Sequence, residues 1–469
     1  MTDFAQTTGA PLNLPQWNDE IFNFGDVNEA FEEINNFAAA GNIATFGTAG
    51  QFPGTNEGID ALNEWLADPQ NRGGLVKFVS DVDLENKFIN IQIDNVGVDL
   101  GGFTFSGQMN EFDISSPESI INLSKIYIRG NNAHVFNGRI SYQVTNIPGE
   151  FPDRLRFGAV VVMTANIFSM SNVYMNVSTY GTIGLSTYTL GFHAESCPLI
   201  NILNCEVVST NPIGVAWGIT ATYSTMIIKN SKITISSNAL EGGRTGLASR
   251  GIYGSMGLNV YAYQLSIIGE AFNSAQLNGI ACDYIFMRTS AIRLKVNDSG
   301  TVVGVTSTGL FFGSTIEVRS NTGAATGIGA NYGISKLYQM NISVTSLSTS
   351  GNVYGVITQC AFVIIYQGEI RARNENAAPG SVIVACVHGN VASSLMINGT
   401  VFKVRKAVNP GAYISGGGGL ILNAQITPAN NIYQGAAPVA KPLAVVTDGI
   451  TLGVALTSGT AGTVPEFFE

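Results

Sequence analysis

Charge is scarce in this chain. Asp, Glu, Lys and Arg make up 12% of its 469 residues, about half the usual share. Acidic residues outnumber basic ones 33 to 23, for a formal net charge of −10, which argues against a nucleic-acid partner because phosphate binding draws on an excess of cations. No apolar run reaches membrane-spanning length, so no membrane span is expected. The opening "MTDFAQTTGAPLN" lacks a basic segment followed by an apolar one, so no cleaved signal peptide is expected. A virion or extracellular location would then follow from cytoplasmic synthesis and release outside the Sec route. His134, His193 and His388 are scattered, and Cys197, Cys205, Cys282, Cys360 and Cys386 form no CxxC pair. They read as buried free thiols of a reducing compartment, with no metal and no cofactor expected. "GLASRGIYGSMG" and "SGGGGLI" lack the Lys and the strand-to-helix context of a phosphate loop, and read as turns.

What the chain does have is a recurring phrase. "NSKITISSN", "YQLSIIG", "SAIRLKVND", "GSTIEVRSNTG", "MNISVTS", "GEIRARNEN" and "GTVFKVRKA" each set two apolar residues on one side of a short strand and polar ones on the other. Their first inward positions, Ile233, Leu265, Ile292, Ile316, Ile342, Ile370 and Phe402, recur with a loose period of about 28 residues. A second phrase interleaves with it at Gly218-Ile219, Gly251-Ile252, Gly279-Ile280, Gly304-Val305, Gly333-Ile334 and Gly355-Val356. Self-similarity at this period marks a solenoid, and no copy carries apolar residues at helical spacing. The expectation is an all-β chain folded as a parallel β-helix, a β-solenoid of about 28 residues per coil, with Ile316 between Ile292 and Ile342 in one interior column. An antiparallel sandwich also uses short strands but needs no repeating phrase.

The first hundred residues differ in kind, with 16 acidic and 3 basic side chains. "GDVNEAFEEINNFAAAG" has Asp26 as a cap, Glu29 three residues on, and Val27, Ala30, Phe31, Ile34 and Phe37 on one face, which predicts a helix. "TNEGIDALNEWLADPQNRGG" predicts a second, with Ile59, Leu62, Trp65 and Leu66 on one side, ended by Gly73-Gly74. Residues 1–74 therefore read as an acidic α-helical N-terminal cap, 75–410 as the parallel β-helix, and 411–469 as a Gly/Ala/Pro-rich β or extended segment.

This entry, a helix, Gly-Gly, a strand and then "DNVGVDLGGFTFSG", resembles the pectin-lyase-like right-handed parallel β-helix superfamily, shared by polysaccharide lyases, polygalacturonases and many phage tailspikes. The resemblance covers roughly residues 55 to 410 and implies a fold rather than an activity. The Asp-Asp and Gly-His-Gly of polygalacturonases are absent, their Arg-x-Lys is matched only by Arg293-Leu294-Lys295, and the eleven acidic residues after position 200 sit singly, whereas glycoside hydrolysis needs paired carboxyls. No catalytic residue is therefore assigned.

One ordered feature remains. The outward positions of the phrase carry Arg293, Lys295, Arg319, Arg371, Arg373, Lys403 and Arg405, which stacking would align as a basic band. Such a band is either a solvated face or a contact surface for an acidic partner, an anionic surface glycan or the acidic cap of a neighbouring subunit. Tyr261/Tyr263, Tyr284/Phe286 and Phe311/Phe312 could stack on sugars or divide between interior and subunit contacts. The function expected is a non-enzymatic, self-associating structural protein, a trimer or filament, such as a phage tailspike, fibre or outer-layer protein. The alternatives are a polysaccharide lyase or glycoside hydrolase on the same scaffold, and a bacterial filament or matrix protein.

Overall fold

The computed structural model describes residues 43–426 apart from loops, the longest being 110–123, 146–155, 181–187 and 239–247, together with 443–447 and 450–454. The predicted helix over residues 26–41 lies outside the described residues. Within them, nearly every strand pairs in parallel with a strand one turn further along the chain, an arrangement that is β-helix-like. The strands rise through three columns. One passes through Leu199–Leu203, Ser224–Lys229 and Leu258–Tyr263; the second through Glu206–Asn211, Lys232–Asn238, Ser266–Phe272, Ala291–Val296 and Thr315–Ser320; the third through Tyr188–Glu195, Val215–Thr222 and Ala248–Tyr253.

The second column carries the recurring phrase. Ile233 pairs with Ile267, then Ile292, Ile316, Ile342, Ile370 and Phe402, and each of these is at most 1% exposed. Each isoleucine contributes ~1.5–3 kcal/mol by leaving water. The register passes through Ile267 rather than Leu265, which sits just after the corner residue Gln264. Successive steps in this run are 34, 25, 24, 26, 28 and 32 residues.

The expected fold class, a parallel β-helix (β-solenoid) with an α-helical N-terminal cap, requires correction. All 34 strands among the described residues belong to one hydrogen-bonded sheet. Twelve of its parallel strands close into a ring. From Ile167–Thr179 it climbs by Leu199–Leu203, Ser224–Lys229, Leu258–Tyr263, Gln276–Arg288 and Thr301–Phe312 to Gly333–Ser346. It returns by Thr315–Ser320, Ala291–Val296, Ser266–Phe272, Lys232–Asn238 and Glu206–Asn211 to its start. The ring closes because Ile167–Thr179 and Gly333–Ser346 run through the corner between two columns without breaking. A single residue turns each of them, Asn172 at φ 54° and Gln339 at φ 54°. Of the two predicted capping helices, the second is present as α1 (Asn56–Trp65).

The Thr55 hydroxyl caps α1 by accepting from the Gly58 N–H. Ile59, Leu62 and Leu66 are fully buried in the main core, so α1 covers the apolar edge of the first coil. It ends at Leu66, and a short 3-10 turn, Pro69–Asn71, follows before Gly73-Gly74. Nearby, Lys125 is buried, donating to the carbonyls of Glu85 and, at 3.1 Å, Lys87, with its ammonium 5.0 Å from the Tyr142 ring centre. Desolvation lowers its pKa to about 8.

The second phrase forms a ladder of kinks in the third column. The pairing steps over Gly218, Gly251, Gly279, Gly304 and Gly327. A Cβ on Gly279 would lie 2.4 Å from the Gly304 carbonyl oxygen and 2.7 Å from the Ile292 side chain. The chain can therefore bend against the next coil only where no side chain intervenes. The member of this ladder after Gly304 is Gly327, not Gly333.

Candidate interaction face

The corner between the first two columns organises the surface. Gly102, Asn137, Asn172, Asn204, Asn230, Gln264, Thr289, Gly313, Gln339 and Gln367 occupy it in successive coils, all at positive φ. Asn and Gly tolerate that conformation best. Amide side chains reinforce the stack, Asn204 donating to Asn172 at 3.2 Å, Asn172 to Asn137 at 3.3 Å, and Gln339 to Gln367 at 3.2 Å.

On one side of this corner lies the basic band. Register places Arg293 beside Glu317, followed by Ser343, Arg371 and Lys403; the adjacent row runs Glu270, Lys295, Arg319, Thr345, Arg373 and Arg405. Strand pairing thus brings all seven sequence-predicted residues into two neighbouring rows, interrupted by Ser343 and Thr345. Arg293, Lys295, Arg319, Arg371 and Arg373 are exposed. The rows are not purely basic. Arg293 stands 3.8 Å from Glu317, Lys295 is 3.5 Å from Glu270, and Glu369 takes both Arg371 and, at 3.0 Å, Lys403. Exposed pairs of this kind contribute about 0–1 kcal/mol each, so they trim the positive charge without locking the face. Arg319 makes no ion pair among the described residues. Alternation places Glu317 and Glu369 on outward strand positions, but their pairing, and Glu270, went unread in the sequence because each partner is contributed by another coil or an adjoining row.

On the other side of the corner the aromatic residues form a ladder. Ring centres are separated by 5.3 Å from Tyr263 to Phe286, 5.6 Å on to Phe312, 4.9 Å to Tyr338 and 6.1 Å to Tyr366. Tyr366 is 41% exposed, while Phe311, next to Phe312, points into the core. Partial burial pushes the Tyr263 and Tyr284 hydroxyls up to about 12. Sequence reading caught Tyr263, Phe286 and Phe312 within pairs but missed Tyr338, Tyr366 and the ladder they form. Its signal was an aromatic residue just before the corner position in several coils.

Further along the same corner, Gly102, Asn137, Gly138, Arg139, Asn172, Tyr174, Asn204 and Glu206 border an open groove of about 500 Å³. Glu206 is paired with Lys232 at 2.7 Å.

Nucleophile chemistry finds little support. Burial pushes the Cys197, Cys205 and Cys282 thiols up to about 12, and Cys386 higher still, which suppresses the thiolate a nucleophile or metal ligand needs. Cys360 lies outside the described residues. The His193 ring meets the Thr220 hydroxyl at 2.6 Å, and Asp283 accepts from the Gly257 N–H at 2.6 Å. Among the described residues no group of three or more His, Cys, Asp or Glu side chains could hold a metal ion. No helix there is long and apolar enough to cross a membrane.

No protein-family model matches the chain, and no curated protein matches it either. Solved structures similar to it include the following two. The periplasmic alginate epimerase AlgG is 9% identical, with 71% of this chain and 77% of that one covered, at a TM-score of 0.29. The GH136 lacto-N-biosidase from Eubacterium ramulus is 8% identical, with 83% and 68% covered, at a TM-score of 0.28. Likeness at this level says nothing of activity.

Proposed function

We propose that the chain is a non-enzymatic, self-associating structural protein, such as a virion tailspike, fibre or outer-layer protein. The observation that carries the non-enzymatic reading is the state of the carboxylates. Glu206, Glu270, Glu317 and Glu369 are each tied to a cation, whereas glycoside cleavage uses two carboxyl groups about 5–10 Å apart, one of them poised as an acid. The protein should release no oligosaccharide from uronate-rich or bacterial surface polysaccharides across about pH 4–9. Reproducible chain shortening, abolished by Glu206→Gln or another single carboxylate substitution, would overturn this reading.

Self-association is favoured by the separation of unlike charge along the chain. Residues 1–100 hold 16 acidic and 3 basic side chains, while the outward band is basic. Tyr366, 41% exposed, and the half-buried Tyr338 beside it support one further role, holding a surface glycan without cutting it, since sugar faces pack on accessible rings. Binding to a glycan panel that persists in Tyr338→Ala/Tyr366→Ala would remove that role.

A further inference from the structure

A polar cluster on the third column is used by neither the basic band nor the aromatic ladder. The segment "GLASRGIYGSMG", which reads as a turn in the sequence, contains the strand Ala248–Tyr253. Its kink at Gly251 sends Ile252 into the core and leaves Arg250 and Tyr253 half-buried on the outer side. Register sets Trp217 in the coil before Arg250 and Asn278 in the coil after it. The rings of Tyr188, Trp217 and Tyr253 follow one another at 4.6 and 5.2 Å. The Arg250 guanidinium lies 3.6 Å from the Tyr253 ring centre and 5.8 Å from that of Trp217. The Trp217 indole N–H donates to the Ala248 carbonyl at 2.7 Å, so this side chain offers its ring and no further donor.

The polar atoms of the cluster are not satisfied from within. Nε and Nη1 of Arg250 and Oδ1 of Asn278 are enclosed without a hydrogen-bond partner among the described residues, and Asn278 is only 4% exposed. Arg371 and Lys403 share Glu369, whereas Arg250 rests on rings. Enclosed donors and an uncompensated charge are costly. The chemistry that would complete them is of two kinds, since a guanidinium only donates and an amide oxygen only accepts. Arg250 calls for an anionic acceptor and Asn278, one coil away, for a donor. An ordered water would meet the hydrogen bonds but not the charge. Sulfate would meet the charge but carries no proton for Asn278. A carboxylate with a neighbouring hydroxyl meets both. We propose that Trp217, Arg250, Tyr253 and Asn278 form a binding site for a hydroxy-carboxylate, whose carboxylate accepts from the guanidinium and whose hydroxyl donates to Asn278 Oδ1. The half-burial of Trp217, Arg250 and Tyr253 leaves the cluster open on its outer side, and Arg250, stacked rather than hydrogen-bonded, can turn toward the anion. A small hydroxy acid and the acidic sugar of a glycan both carry this chemistry.

Isothermal titration calorimetry of the full chain with glycerate, glucuronate, acetate and sulfate is the test. Glycerate, glucuronate or both should bind saturably and at least ~10-fold more tightly than acetate or sulfate; preference for glycerate assigns a small acid, and preference for glucuronate an acidic sugar. Arg250→Gln should weaken that binding at least ~10-fold by removing the charge-assisted donors. Asn278→Asp should do the same, because its carboxylate competes for Arg250 and repels the ligand. Arg250→Lys keeps the charge but loses the fork of donors, and serves should Arg250→Gln fail to fold by circular dichroism. Tyr338→Ala/Tyr366→Ala should leave the affinity unchanged, which separates this site from the aromatic ladder. The proposal is overturned by the absence of saturable binding of either hydroxy acid, by sulfate binding as tightly as they do, or by folded Arg250 and Asn278 variants that bind like the parent.

Discussion

Ile316 shows how strictly the interior is specified residue by residue. It lies between Ile292 and Ile342 in an unbroken apolar column with no exposed surface. Ile316→Asp would place an unpaired carboxylate there at a cost of several kcal/mol, and thermal melting should show a large fall or failure to fold. Glycine at the kink is equally constrained. Gly279→Ala should destabilise by ~1–3 kcal/mol, because the added Cβ meets the Gly304 carbonyl oxygen at 2.4 Å. Gly329→Ala is the control, since its Cβ would meet nothing nearer than 3.8 Å; chemical denaturation of the pair should separate them. Four buried thiols set a pH limit. Their folded pKa values are raised above the ordinary 9.0, so between about pH 9 and 12 the unfolded chain loses protons that the folded chain keeps, and stability falls as pH rises. Lys125 acts oppositely. Its folded pKa is depressed from 10.5 to about 8, so its cost is fully present below about pH 8 and is relieved towards 10.5. The thiols outnumber it, and melting temperature should therefore decline above about pH 9, less steeply in Cys282→Ala.

At the scale of elements, strands and their inward faces were legible because apolar alternation and a repeated phrase translate directly into stacked columns. Ile292, Ile316 and Ile342 were placed by that rule alone. Continuity through the corner was not legible. Asn172 and Gln339 turn their strands while leaving them unbroken, and a polar residue between two apolar runs reads equally well as a loop. The kink ladder was half read for the same reason: Gly333 and Gly327 look alike in sequence, and only the close approach of the next coil distinguishes them. On the candidate face, alternation located the seven basic residues, whereas their ion partners Glu270, Glu317 and Glu369 follow from cross-coil and cross-row proximity. Helix α1 seals the stack with one cap. Thr55→Ala should cost ~1 kcal/mol, and hydrogen exchange should rise first in α1 and in the strand Ile43–Phe46 that it covers.

For the whole molecule, stacking makes length an open variable. Each coil buries its apolar row against the next, and α1 covers the first coil, so the proposed self-association would draw on surface rather than on core. The charge available to it is an acidic first hundred residues in the sequence and the basic outward band. The claim that unites these features is that copies join end to end. Electron microscopy of the purified full chain at low salt measures this directly. Elongated particles should appear joined at their ends in rings or filaments, and these should dissociate into single rods as salt is raised. Isolated rods at every concentration and salt, or particles joined only along their sides, would contradict it.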